Sequence, residues 1–321
     1  MTRPHASPLA VWIGILVLYV VWGSTYLGMK LAIDTLPVFV MGFLRFVPAG
    51  VLLTILVIAW NRGRVPRPTP AQARDAAIVG TLLLIGGTGL VAWGQQTIAT
   101  GIAALLIALV PMWLAIFGRL LFKDPVAPLV AAGIAVGLVG VAILAWPAGD
   151  VAALDPAGLA ALIISPMFWS VGTLYAAKRA VLPAPALLAS GIEMIAAGLG
   201  FAVLAAVTGE WTGFEPAAVS ATSWAGIVYL VLVGSLIGYT TYAWLITVAP
   251  LARVSTYAYV NPVVAVILGA IFLSEPLTLR TLVASVVIVT AVVLILTGRS
   301  RAARQANARA EVGVPEGRVA A

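Results

Sequence analysis

The sequence predicts an all-α integral membrane protein of ten transmembrane helices, arranged as two inverted five-helix repeats. Three observations predict it. The 321-residue chain is 62% hydrophobic and only 9% charged, against roughly 25% charged in soluble domains. Its apolar runs reach the ~20 residues that a helix needs to cross a bilayer at ~1.5 Å per residue, and they lack the strict alternation of a membrane barrel. Finally, "PMWLAIFGRLLFKDP" (111–125) returns as "PVVAVILGAIFLSEP" (262–276). Pro111, Ile116, Gly118, Asp124 and Pro125 stand opposite Pro262, Ile267, Gly269, Glu275 and Pro276, each pair 151 positions apart.

The spans fall near 9–31, 37–59, 76–96, 99–120, 127–146, 157–178, 185–207, 222–246, 251–272 and 277–297. The first is too long for a signal-peptide core and ends in aromatics and Met-Lys, so it stays as a helix. The joints carry turn and breaker residues: "NRGRVPRPTP", "KDP", "WPAGD", "LPAP", "TGEWTGFEP" and "SEP". The division is then a stub over 1–8, a first repeat over 9–146, a linker over 147–156, a second repeat over 157–297, and a basic, disordered tail over 298–321 that lies in the cytoplasm.

Cationic side chains orient the spans. With the N-terminus inside, the inner segments hold Arg3, Arg62, Arg64, Arg67, Arg74, Arg119, Lys123, Lys178, Arg179, Arg253 and the tail arginines, and the outer ones only Lys30 and Arg280. This asymmetry is the positive-inside rule, and it places both termini in the cytoplasm. The net charge of +7 therefore reflects topology, and nucleic acid is excluded as a partner for want of a folded basic domain. The chain has no cysteine and one histidine, His5. Disulfides, thiolate nucleophiles and cysteine metal sites are excluded, no cofactor motif is present, and no metal is expected.

The 151 offset also pairs Ala92-Trp93 with Ala243-Trp244 and Gly87 with Gly238. Upstream it becomes 148, pairing Thr25 with Thr173, Lys30 with Lys178, Ala49-Gly50 with Ala197-Gly198, and Arg45 with Glu193. Five spans is an odd number, so the second copy enters the bilayer from the opposite side. Inverted repeats of this kind give secondary transporters two related conformations around one midplane site.

Several segments resemble a known family. "WGSTYLGMK", "GFLRF", "ALVP" and above all "NPVVAVILGAIFLSEPLT" are similar to those of EamA-type transporters of the drug/metabolite transporter superfamily, the first pointing to the bacterial exporter branch. The resemblance covers about residues 9–297. It implies two EamA repeats and a cavity lined mainly by helices 1, 3, 4, 6, 8 and 9. It also implies a multi-pass inner-membrane protein that exports amino acids, other metabolites or toxic compounds. "FKDP" departs from the Gly-Glu more usual at that turn. The first-helix glutamate with which the four-helix multidrug relatives exchange protons has no counterpart here.

Candidate residues follow. Arg45 and Glu193 lie about eight residues into spans 2 and 7, ~12 Å deep, where a charge costs ~2.5–3.5 kcal/mol and needs a partner or a task. They serve a zwitterionic substrate, with Glu193 as amine partner or proton carrier, or they form a structural ion pair, or each is satisfied separately. Pro111 and Pro262 remove a backbone donor within spans 4 and 9, and are expected to act as hinges or static bends. Trp22, Ser24, Thr25, Trp169, Thr173, Trp113, Tyr239, Tyr257 and Asn261 offer an aromatic cavity with few polar anchors, suited to organic substrates, or else plain packing. Trp93 and Trp244 read as interfacial anchors. Gly133, Gly137 and Gly140 allow close helix contact, and Asp124 and Glu275 are expected to cap helices 5 and 10. The partners expected are a small-molecule substrate, the lipid bilayer and protons as a coupling ion, with the chain a monomer or weak dimer. A membrane-embedded transferase would need clustered nucleophiles or metal ligands. A non-transporting membrane scaffold would need large loops. Neither feature is seen.

Overall fold

The computed structural model describes residues 6–145, 154–249, 251–254 and 256–311. His5, most of the linker 147–156 and residues 312–321 lie outside them. Among the described residues nine helices are long and apolar enough to cross a bilayer. These are α1 (Pro8–Ala32), α2 (Val38–Trp60), α3 (Pro70–Gly94), α4 (Thr100–Phe122), α5 (Pro128–Ala145), α6 (Pro156–Lys178), α7 (Ala186–Val207), α8 (Ala221–Val248) and α10, whose membrane segment is Leu279–Gln305. α9 (Tyr257–Leu273) is apolar but shorter, and a helical turn at Leu251–Val254 precedes it.

Side-chain caps fix several starts. Ser7 accepts from the Ala10 N–H, Thr69 and Gln72 form a capping box, and Ser220 accepts from Ser223. Asp155 caps α6 through Gly158. That N–H, and then the Thr97 hydroxyl, hold its carboxyl below the usual range.

The repeat is visible in the backbone. α4 and α9 end on left-handed residues, Lys123 at φ 57° and Ser274 at φ 52°. The next N–H, from Asp124 or Glu275, returns to the carbonyl of Gly118 or Gly269 at 3.1 and 3.2 Å, which closes the same left-handed C-terminal turn in both halves. α3 and α8 each contain a π-helical stretch, Thr81–Gly89 and Leu230–Ile237. Wide turns of this kind concentrate at functional sites.

Packing repeats as well. α2 lies along α7 and α5 along α10; α1 packs on α8 and α9, while α6 packs on α3 and α4. Exchanging the halves maps each of these contacts onto another. Small residues bring the backbones together, as expected where lipid supplies no hydrophobic drive. A Cβ on Gly50 would stand 2.6 Å from the Gly191 carbonyl oxygen, and one on Gly133 2.9 Å from that of Ala291. Gly133 and Gly140 face α10, and Gly137 faces Leu109 and Met112 of α4 with Ala291 of α10 beyond, so this stripe forms an intramolecular seam. Apolar side chains cover the outside, among them Trp60, Val207 and Val286.

Two expectations are corrected. The last helix does not stop at residue 297: it continues to Glu311, because "RSRAARQANARAE" is built largely of Ala, Arg and Gln, strong helix formers. Asp124 and Glu275 do not cap helices 5 and 10, which start later, at Pro128 and Leu279. Thr278 sits before α10 instead, accepting from the Thr281 N–H at 3.1 Å. Pro48 and Pro166, not singled out in the sequence, also lie inside helices.

Candidate functional site

α1, α8 and α9 converge on an aromatic cluster. The Trp22 ring meets those of Tyr257, Tyr242 and Tyr239 at centroid distances of 4.8, 5.3 and 6.0 Å. Trp22 fits because residue 238 of α8 is glycine, where a Cβ would stand 2.4 Å from the indole Nε1. Asn261 is buried next to Tyr257; with its amide oriented to satisfy both ends, the NH2 donates to the Tyr257 and Tyr19 carbonyls at 3.1 and 3.3 Å. The sequence pointed to Trp22, Tyr239, Tyr257 and Asn261, and the fold brings them together. Tyr242, three residues beyond Tyr239 and so on the same helix face, was the available signal that went unread.

The hydroxyl candidates are largely occupied by their own helices. Ser24 donates to the Val20 and Val21 carbonyls and joins the Tyr229 hydroxyl. Thr25 donates to Trp22 at 2.7 Å and Thr173 to Trp169 at 2.8 Å. The remaining candidates fall on the repeat-related face. Trp169 of α6 lies against Gly87, and Trp113 of α4 stacks on Phe117 at 5.7 Å. Ser170, which the sequence reading passed over, ties α6 to α4 through the Val110 carbonyl at 3.2 Å.

Pro111 opens the second half of a divided α4: one helical piece ends at Ile107 and the next begins at Val110. Pro262 lies inside a continuous α9. The two prolines therefore share a register but not a local conformation.

Arg45 is only 6% exposed. It forms no ion pair with Glu193: among the described residues the pairs are Arg74–Asp75 and Lys178–Asp124. The guanidinium lies over the Phe46 ring at 4.7 Å, and its Nε and Nη1 have no hydrogen-bond partner. It extends towards the π-helical stretch of α8, with Nη2 3.9 Å from where a Cβ on Gly234 would lie. The adjacent Ser235 hydroxyl is likewise buried and unpartnered. The backbone of Glu193 presses on α3, its carbonyl oxygen 2.3 Å from a Cβ position on Gly80.

The bundle has two differently built ends. At the Lys30 end, the first half of α4 packs against α9, α6 and α1. Glu275, from the α9–α10 turn, accepts from the Thr100 and Gly101 N–H groups at 2.6 and 3.2 Å. Lys30 donates to the Gln95 carbonyl, and Gln95 to that of Tyr26 at 3.1 Å. At the Lys178 end, the second half of α4 packs on α6, α5 and α10. There Lys178 pairs with Asp124, while Asp75 accepts from the Tyr175 hydroxyl at 3.1 Å and the Val181 N–H at 2.8 Å. A cleft lined by Leu114, Asp124, Val130 and Arg299 opens beside this second half of α4.

Comparison with known proteins agrees with this architecture. The EamA-like transporter family model matches residues 10–146 and 156–297. The chain is 36% identical over 283 residues to the uncharacterized inner membrane transporter YedA of Escherichia coli K12, covering 88% of this chain and 89% of that one. It is 28% identical over 274 residues to the "Probable terminal-alkyne amino-acid exporter" of Streptantibioticus cattleyicolor, covering 83% and 86%. A solved crystal structure superposes with a TM-score of 0.60 at 20% identity, covering 92% of this chain and 99% of that one, a likeness of fold alone. The aromatic cluster and the paired bundles thus sit in a multi-pass inner-membrane transporter for a small-molecule substrate, and the chain belongs to the EamA-like transporter family of the drug/metabolite transporter superfamily.

Proposed function

We propose that the protein is a secondary transporter that exports small organic metabolites or toxic compounds by alternating access, with both termini in the cytoplasm. The observation that carries this reading is the exchange symmetry of the packing: α1 with α8 and α9 against α6 with α3 and α4, α2 on α7, and α5 on α10. Two such bundles have a second, symmetry-related arrangement of similar energy, in which the two ends trade their packing. Here the Lys30 end is the closed one, held by Glu275, Lys30 and the first half of α4. The distribution of cationic side chains favours that end as the outer face. A relative named as an amino-acid exporter and the aromatic wall at Trp22 both favour substrates with an apolar body.

The test is a flux screen in sealed vesicles containing the purified chain, with and without an imposed pH gradient. Saturable, substrate-specific efflux supports the reading, and its dependence on the gradient would assign protons as the coupling ion. Absence of saturable flux for every amino acid and apolar organic compound tried overturns it. Reporter fusions after residues 152 and 213 should read as periplasmic and a fusion after residue 68 as cytoplasmic; a cytoplasmic signal at 213 contradicts the orientation.

A further inference from the structure

We propose that Arg45 and Ser235 form an anion subsite that holds the carboxylate of an organic-acid substrate, while the substrate's apolar body lies on Trp22 and Tyr239. This rests on the transport reading above and names the substrate class for it. A guanidinium taken out of water needs hydrogen-bond acceptors, and a buried donor without one is rare in a native protein. Arg45 has its Nε and Nη1 unpaired, and the Ser235 hydroxyl on the facing stretch of α8 is unpaired too. Glu193, the nearest candidate for a counter-ion by repeat position, does not pair with it. Phe46 covers one face of the guanidinium, and the Nε and Nη1 N–H groups on its edge have no acceptor.

The chemistry of the cation narrows the ligand. Arginine stays protonated, so it is not a proton carrier, and its planar fork matches a carboxylate through two parallel hydrogen bonds. Position 234, where Nη2 approaches α8, is glycine; a side chain there would collide with Thr25 Cγ2 at 2.9 Å. Gly238, against which Trp22 rests, is four residues further along, about 6 Å at ~1.5 Å per residue. The two contacts on α8 are therefore about 6 Å apart along the helix axis, the scale of a short aryl acid. The widened turn at Leu230–Ile237 is the backbone feature between the two contacts.

The test uses 3-phenylpropanoate and its uncharged analogue 3-phenylpropanamide with the purified full-length protein. Binding is read from intrinsic tryptophan fluorescence, and uptake from radiolabelled probe in vesicles. The acid should bind about tenfold to a hundredfold more tightly than the amide, the discrimination expected of charge-assisted hydrogen bonds. Arg45→Gln should abolish that preference, Arg45→Lys should keep part of it, and Ser235→Ala should reduce it. Equal binding of acid and amide to the unaltered protein, or no saturable binding of the acid, overturns the proposal. So does a preference that survives in Arg45→Gln. If Arg45→Gln does not fold, the probe pair on the unaltered protein and on Arg45→Lys decides. Arg45-dependent binding of the acid without movement would leave the subsite standing and defeat the transport reading. Transport that ignores both the carboxylate and Arg45 would do the reverse.

Discussion

Replacing Glu275 by Gln should open the Lys30 end. Glu275 crosses from the second repeat to the first. It offers one carboxylate oxygen to the Thr100 N–H at 2.6 Å and the other to the Gly101 N–H at 3.2 Å. Those are the first N–H groups of α4, which have no partner within the helix and carry the positive end of its dipole. An amide keeps a single acceptor oxygen and no charge, so at least one charge-assisted bond is lost, about 1.5–3 kcal/mol. The site is only part-buried, which favours the lower figure. At ~1.5 kcal/mol the ratio of conformers open and closed at this end moves by about tenfold. The assay is labelling of Thr25→Cys by a membrane-impermeant maleimide from the outer face. The chain contains no cysteine of its own, so the signal has no background, and Thr25 is 9% exposed in the closed arrangement. Labelling should accelerate about tenfold in the Glu275→Gln background. An unchanged rate in a folded Glu275→Gln protein refutes the role given to this contact.

Three further outcomes follow from the packing. Gly50→Val should destabilise the α2–α7 seam by about 1–3 kcal/mol, the cost of overpacking, because its Cβ meets backbone at 2.6 Å. Gly213→Ala, with nothing within 4 Å, should be neutral, and detergent thermal melts compare the two. Because Arg45 and Glu193 are not paired, neutralising both should give the sum of the single effects within about 1 kcal/mol; rescue of one by the other would show a hidden pair. Pro111→Ala, which allows the divided α4 to become continuous, should change the switching rate more than the apparent affinity. Pro262→Ala should act more weakly, since α9 is already continuous there; stopped-flow counterflow separates rate from affinity.

Much of the architecture was legible because it rests on periodic, local signals. Apolar runs of bilayer length and the 151-residue register of Pro111/Pro262 and Gly118/Gly269 lie on the page as spacing. So did three rings of the aromatic cluster, Trp22, Tyr239 and Tyr257, and the neighbouring Asn261, on spans 1, 8 and 9. What stayed hidden depends on how distant segments meet. The π-helical register of Thr81–Gly89 and Leu230–Ile237 has no composition of its own. Glu275 stands before a proline and reads as the cap of the helix that follows, yet its partners are about 175 residues upstream, at Thr100 and Gly101. The repeat paired Arg45 with Glu193 by position, and position is not contact: one extends towards α8, the other lies against α3. Ser235 and Tyr229, single hydroxyls in apolar helices, gave no signal before their surroundings were known.

The central claim is that the two ends of the bundle open in alternation, and distances between spin-label pairs test it most directly. Cysteines placed at Gln96 and Leu277 report the Lys30 end, and cysteines at Arg253 and Arg179 the Lys178 end. The pairs are measured in the unmodified background, with 3-phenylpropanoate, and with Glu275→Gln. The account predicts opposite changes: conditions that lengthen the Gln96–Leu277 distance shorten the Arg253–Arg179 distance. Both distances lengthening together, or neither changing under any condition, would contradict it.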